Sequence, residues 1–259
     1  TKDLIAEEDV VVTLTMSNYI KRIPLDTYRR QRRGGVGVKG MGTKETDIVS
    51  DLLITTTHHD IGPWTNAYNN IGQIDIFLKY IDVLHPTNVS PEDKTRWKAE
   101  CKFLHAFYHQ ELLRAYGPIP LVTEYIPNNT PKSDFPGRSP YDVCIDSIAK
   151  WYDEAARLLP ATVPTDELGR ATSTACKALK ARLLLYAASP LWNGSFPYPE
   201  WKNDKFTVPG WDKKLVSNTY DATKWQRALD ACTEAIDFAE SKGQRKLFDV
   251  AKQSGCCQR

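Results

Sequence analysis

Two kinds of residue in this chain are typed and spaced for chemistry. The first is the stretch 28-YRRQRRGGVGVKGMG-42, where Arg29, Arg30, Arg32, Arg33 and Lys39 are interleaved with five glycines and no acid. Glycines let backbone amides approach phosphate closely, and guanidinium groups offer forked donors to its oxygens. The chemistry implied is a sequence-independent, salt-sensitive grip on a phosphate backbone. A solvated cationic loop fits the same residues, and composition alone leaves both readings open. The second is 190-PLWNGSFPYPEW-201. Trp192, Phe196, Tyr198 and Trp201 could stack on the apolar faces of sugar rings, with Asn193 bonding to hydroxyls. The competing reading is that these aromatics pack the loop onto neighbouring helices.

Other candidates are weaker. His105 and His109 share one helix face at i and i+4, but HAFYHQE lacks the glutamate of HExxH and supplies no third ligand. We expect them on a partly exposed helix surface. His58-His59-Asp60 gives no fuller ligand set. There is no nucleotide-binding loop and no nucleophile elbow. The adjacent pairs Asp153-Glu154 and Asp166-Glu167 diverge from one another. No enzyme, metal or cofactor is indicated. Cys101, Cys144, Cys176 and Cys232 read as free thiols within helices, and Cys256-Cys257 lie in a polar tail.

The elements that must hold these residues differ along the chain. Its 259 residues carry a formal net charge of +2, so no global field draws nucleic acid or acidic lipid. Charge is uneven, however. Between Lys21 and Lys44 eight basic residues face one acid, Asp26. No apolar run is long enough to span a bilayer, and neither a signal peptide nor a lipid-modified cysteine motif stands near Thr1. Residues 1–60 read as β: Val10–Thr15 and Tyr19–Leu25 as a hairpin around 16-MSN-18, then a run at 48–57. Pro24 confines its strand to an edge or to the strand's end.

From Gly62 the period becomes helical. Helices are expected over 64–82, with Trp64, Tyr68, Ile71, Ile74, Leu78 and Ile81 inward, and over 92–117, with Trp97, Cys101, Leu104, Tyr108, Leu112 and Ala115 inward. Phe103 and Phe107 add a second stripe to the latter. Gly117 caps it, and 118-PIP-120 cannot continue it. A proline-rich excursion follows over 121–140. Further helices are expected over 139–159 with Ser139 or its neighbour at the cap and Pro140 in the first turn, over 173–189, and over 222–243. The last should bury Trp225, Ala228, Leu229, Cys232, Ala235, Ile236 and Ala239 on one face. Small residues where helices meet suggest an irregular tetratricopeptide-like superhelix.

Two resemblances follow from quoted text. The segments 4-LIAEEDVVVTLT-15, 19-YIKRIPLDTY-28, 31-QRRGGVG-37 and 52-LLITTTHH-59 resemble the C-terminal domain of DNA gyrase A, which is a β-pinwheel that wraps DNA. The family's box QRRGG(K/R)G carries over to Gln31, Arg32, Arg33, Gly34, Gly35 and Gly37, with Val36 in place of the basic residue. The resemblance covers about one blade and none of the catalytic region.

The segments 97-WKAECKFLHAFYHQELLRAYGPIPLVTE-124, 169-GRATSTACKALKARLLLYAASPLWNG-194 and 221-DATKWQRALDACTEAIDFAE-240 resemble, in order and spacing, the SusD/RagB family of outer-membrane glycan-binding lipoproteins. That resemblance implies a mainly α, tetratricopeptide-like fold and no catalysis. Its partners would be an oligosaccharide and a TonB-dependent transporter, at the outer membrane. Two features of the family pattern, the lipidated cysteine and the C-terminal half, do not appear in the chain.

The expected organisation is therefore a gyrase-like β blade over 1–60, a SusD-like helical domain over 61–250 with an exposed apolar edge, and an unstructured tail over 251–259. The simplest account is a chimera joined between about His59 and Pro63. A cytoplasmic DNA-binding fragment and a helical-repeat scaffold for protein partners are the alternative readings.

Overall fold

The computed structural model describes residues 10–14, 20–24, 63–84, 88–203, 211, 213–243 and 245. The cationic strip at 28–42, the β run at 48–57 and the tail at 251–259 lie outside them. The chain divides into two compact units, Thr1–Gly62 and Pro63–Arg259.

In the first unit, β1 (Val10–Leu14) pairs antiparallel with β2 (Ile20–Pro24). Val10 lies opposite Pro24 and Leu14 opposite Ile20. Pro24, which has no N–H to give a ladder, stands at the strand's last position.

The second unit holds five α-helices: α1 (Trp64–Tyr80), α2 (Pro91–Tyr116), α3 (Tyr141–Ala156), α4 (Ser173–Ala188) and α5 (Thr223–Ser241). Each packs mainly on its neighbours in sequence, so the helices form a progressive stack. Local chemistry sets the ends. Ser90 Oγ accepts the Asp93 N–H at 3.0 Å, with Pro91 in the first turn, so α2 starts there. Gly117, at φ +66°, ends it, its N–H donating to the Leu113 carbonyl at 2.9 Å. Thr172 caps α4 by accepting the Ala175 N–H at 3.1 Å.

The core joins Ile71, Leu112, Leu113, Ile148, Tyr152 and Leu184 with small residues such as Ala99, Ala106 and Ala188. Cys144 and Cys176 are buried in it as free thiols, and Cys101 and Cys232 are half-buried and free. The Tyr152 hydroxyl donates to Gln110 Oε1 at 2.6 Å, and Gln110 Nε2 donates to the Leu179 carbonyl at 3.4 Å. One buried polar chain thus links α3, α2 and α4. Arg170 donates to both Glu100 oxygens at 2.8 Å and anchors the loop before α4 to α2.

Three expectations need correction. The helix expected over 139–159 is shorter: α3 begins at Tyr141 and ends at Ala156, with Pro140, the neighbour of Ser139, at its cap. Ser139 is buried and its N–H is held by the Ile119 carbonyl at 2.8 Å, so the chain enters α3 through Pro140. The buried side of α2 is turned from the expected stripe. It runs through Ala99, His105, Ala106, His109, Gln110 and Leu113 as well as Leu112, while Leu104 is 38% exposed. In α5, Ala228 and Ala231 are buried, while Trp225, Leu229 and Ile236 of the expected face are exposed.

Candidate functional site

The loop after α4 gathers the four sequence-predicted sugar residues, in unequal situations. A single 3-10 turn over Pro190–Trp192 follows α4. Trp192 stacks on Tyr141 at 3.9 Å and 5°, and on Phe196 at 4.9 Å and 19°. Phe196 stacks in turn on Trp201 at 5.8 Å and 14°. The result is a column of near-parallel rings from the start of α3 to Trp201. Stacking on both Tyr141 and Phe196 commits Trp192 to the column.

Asn193 is buried at 2% exposure. Its Oδ1 accepts the Asp221 N–H at 2.7 Å and its Nδ2 donates to the Asp221 carbonyl at 2.9 Å. This amide clamps the 190–201 loop to the entry of α5. Gly194, at φ +91°, lets the two loop segments touch, since a Cβ there would lie 2.8 Å from the Tyr220 nitrogen.

Tyr198 and Trp201 form the outward part of the cluster. Tyr198 is 72% exposed and sets its edge against Phe196 at 6.1 Å and 67°. With Phe196, Pro197, Pro199, Glu200 and Trp201 it lines a shallow open cleft. The Arg138 guanidinium lies 5.6 Å from the Trp201 ring and 5.5 Å from Trp64. It also donates to the carbonyls of Tyr116 and Pro118, so it holds the column rather than the solvent. Sequence reasoning missed Tyr141 and Arg138. Tyr141 reads as an ordinary first-turn core residue, and nothing local announces the Arg138 contacts.

The histidine pair is not at the surface. His105 is 6% exposed and His109 fully buried, their rings 4.4 Å apart and 4.5 and 5.0 Å from Trp151. His109 Nδ1 bonds the His105 carbonyl at 2.8 Å, and the Val122 N–H donates to His109 Nε2 at 3.3 Å. Those partners fix a neutral ring with its proton on Nδ1. Burial pushes the pKa of His105 down to about 4 and that of His109 to about 3. Neighbouring Asp75 is 6% exposed, its Oδ1 3.5 Å from His105 Nε2. Burial raises its pKa to about 6. No three metal-ligating side chains converge among the described residues, and none of their helices is long and apolar enough to cross a membrane. Gln31, Arg32, Arg33, Gly34, Gly35 and Gly37 lie outside the described residues.

Two families match the chain, and the two matches overlap over residues 43–56. A SusD-like family model, described as starch-binding and associating with the outer membrane, matches residues 43–185. The DNA gyrase C-terminal domain, a β-propeller, matches residues 9–56. The solved structure of BT4246 is 51% identical, with a TM-score of 0.72, over 78% of this chain and 34% of that one. Surface glycan-binding protein A from Bacteroides thetaiotaomicron, solved with laminarihexaose, shares the fold at 17% identity and a TM-score of 0.50, over 80% of this chain and 34% of that one. DNA gyrase A from Streptomyces coelicolor is 51% identical over 73 residues, 28% of this chain and 8% of that protein. The chain thus spans about a third of these helical relatives and under a tenth of gyrase A. Two families in one chain, with compact units divided at Gly62 and Pro63, fit a chimera.

Proposed function

Because this chain belongs to the SusD-like family, we propose that it is a non-catalytic carbohydrate-capturing component of an outer-membrane uptake system, handing oligosaccharide to a TonB-dependent transporter. The observation that carries this reading is the outward end of the ring column. Tyr198 and Trp201 offer aromatic surface beside Glu200, an exposed acceptor for hydroxyls. Trp192 and Asn193 serve beneath them, as the stack and the clamp that keep the loop in shape. Pre-ordering of this kind lowers the entropy lost when a sugar settles.

Affinity electrophoresis through gels containing starch or laminarin tests the sugar contact. The chain is expected to be retarded, and Tyr198→Ala to lose most of the retardation without a change in melting temperature. An unretarded parent protein would refute the reading. Co-purification of a TonB-dependent transporter with the tagged chain tests the partner.

A second reading is favoured by the gyrase match over residues 9–56. In it, residues 28–42 grip DNA through Arg32 and Arg33, with Gln31, Gly34, Gly35 and Gly37 shaping the turn, in a cytoplasmic setting. Retention on duplex DNA that falls steeply with salt and is lost in Arg32→Ala plus Arg33→Ala supports it. Salt-independent or absent retention removes it.

A further inference from the structure

α5 is the last described helix of the stack, and its apolar surface is only partly covered. Ala228 and Ala231 are its buried residues, and α4 is the helix it packs on most. A second row stays exposed: Trp225 at 42%, Leu229 at 59% and Ile236 at 59%, with the half-buried free thiol of Cys232 among them. The steps along this row are 4, 3 and 4 residues, the spacing of a coiled-coil seam. None of its four members is charged. The outermost helix of a stack stays apart from other chains when its outer face is polar, and this one is not.

The row itself says which helix would cover it. Steps of 4, 3 and 4 read the same in both directions, so a second copy of α5 turned antiparallel matches it layer for layer. Trp225 comes level with Ile236 of the second copy, and Leu229 with Cys232. Each layer then sets a larger side chain beside a smaller one. The two-fold axis passes between Leu229 and Cys232, and the same patch serves both copies.

Charge sets the direction. The last turns of α5 carry Asp237 and Glu240 and no base, at odds with the negative end of their own helix. Antiparallel pairing brings the positive end of the second helix alongside them. Parallel pairing would lay acid beside acid and negative end beside negative end.

We propose that α5 is a self-association surface, through which two copies of this chain pair antiparallel along the row from Trp225 to Ile236. This pairing is independent of what the chain binds. Sedimentation velocity of the full chain in reducing buffer tests it. A reversible shift from one copy to two is expected between about 1 and about 100 µM. Leu229→Glu and Ile236→Glu each put a charge on the row and should raise the dissociation constant about tenfold or more. Both positions are exposed, so the helical circular dichroism should not change. Leu84→Glu, at an apolar position 71% exposed beyond α1, should leave the dimer intact.

Direction is read by bridging with a short bismaleimide, with Cys101, Cys232, Cys256 and Cys257 changed to serine. Copies carrying Gln226→Cys should bridge to copies carrying Thr233→Cys, and not to other Gln226→Cys copies. A chain that stays monomeric at the upper concentration, its row bare or covered by another segment, overturns the proposal. So does a dimer indifferent to both row variants. Loss of the dimer in Leu84→Glu would mean head-to-tail pairing and overturns it as well. Bridging between Gln226→Cys copies, without bridging to Thr233→Cys, would mean parallel pairing and overturns the antiparallel arrangement.

Discussion

Gly117 does two jobs at one position. It holds φ at +66°, and a Cβ built on it would lie 2.9 Å from the Trp192 ring. Gly117→Ala therefore strains the backbone and pushes on the column at once. We expect a loss of about 2 kcal/mol, seen as a fall of about 4–8 °C in a thermal melt followed by circular dichroism. The cap itself is legible in the sequence, because a glycine before 118-PIP-120 closes a helical pattern. The contact with Trp192 is not, because it joins residues 75 positions apart.

The histidines were misplaced for a related reason: spacing put them on one face but could not reveal Trp151 from α3 lying over that face. Their burial has a consequence in acid. His105 and His109 have folded pKa values of about 4 and about 3, below the ordinary 6.5. The stability this gives is fully present above about pH 6.5 and is lost as the pH falls toward those values. Asp75, raised to about 6, works the other way, its contribution fading as the pH rises through 6. Two depressed histidines outweigh one raised carboxyl, so the melting temperature should drop between pH 6.5 and 4.5. The upper part of that window, above about pH 5.5, lies clear of the range where ordinary carboxylates protonate. A melting temperature that stays level across it would contradict the assignment.

Among elements, α2 is the hub, because α1 and α3 both pack on it and its Gln110 is the middle of the buried polar chain. Tyr152→Phe removes the donor and leaves Gln110 Oε1 unpaired. We expect it to cost about 1–2 kcal/mol in urea denaturation, with little change in the slope. An unchanged midpoint would mean that water replaces the hydroxyl. Existence and rough ends of all five helices are legible from apolar period and from Gly117, whereas the caps at Ser90 and Thr172 emerge only in the structure. Which face turns inward is less so. In α2 the sequence offers two apolar stripes, and in α5 only part of the expected face is covered, Ala228 and Ala231 being its buried residues. Trp225, Leu229 and Ile236 are the exposed part of that face.

For the whole molecule, the division at Gly62 and Pro63 predicts that residues 63–245, produced alone, keep the helical circular dichroism and melting temperature of the full chain. Collapse of the fragment to a coil would show that the first unit is needed for folding. The change of family is legible because 31-QRRGGVG-37 and 97-WKAECKFLHAFYHQELLRAYGPIPLVTE-124 are specific texts. The ring column of the 190–201 loop is only half legible. Trp192, Phe196, Tyr198 and Trp201 stand close together in the sequence, whereas Tyr141 and Arg138 come from some fifty to sixty positions upstream.

The stack of sequence neighbours also bears on how the chain is made. When each helix packs mainly on its neighbours in sequence, most helix–helix contacts join adjacent stretches of the chain. A chain emerging from the ribosome can then settle one helix at a time, each new one finding its docking face already built. The aromatic loop is the exception, because its clamp joins Asn193 to Asp221, 28 positions further along.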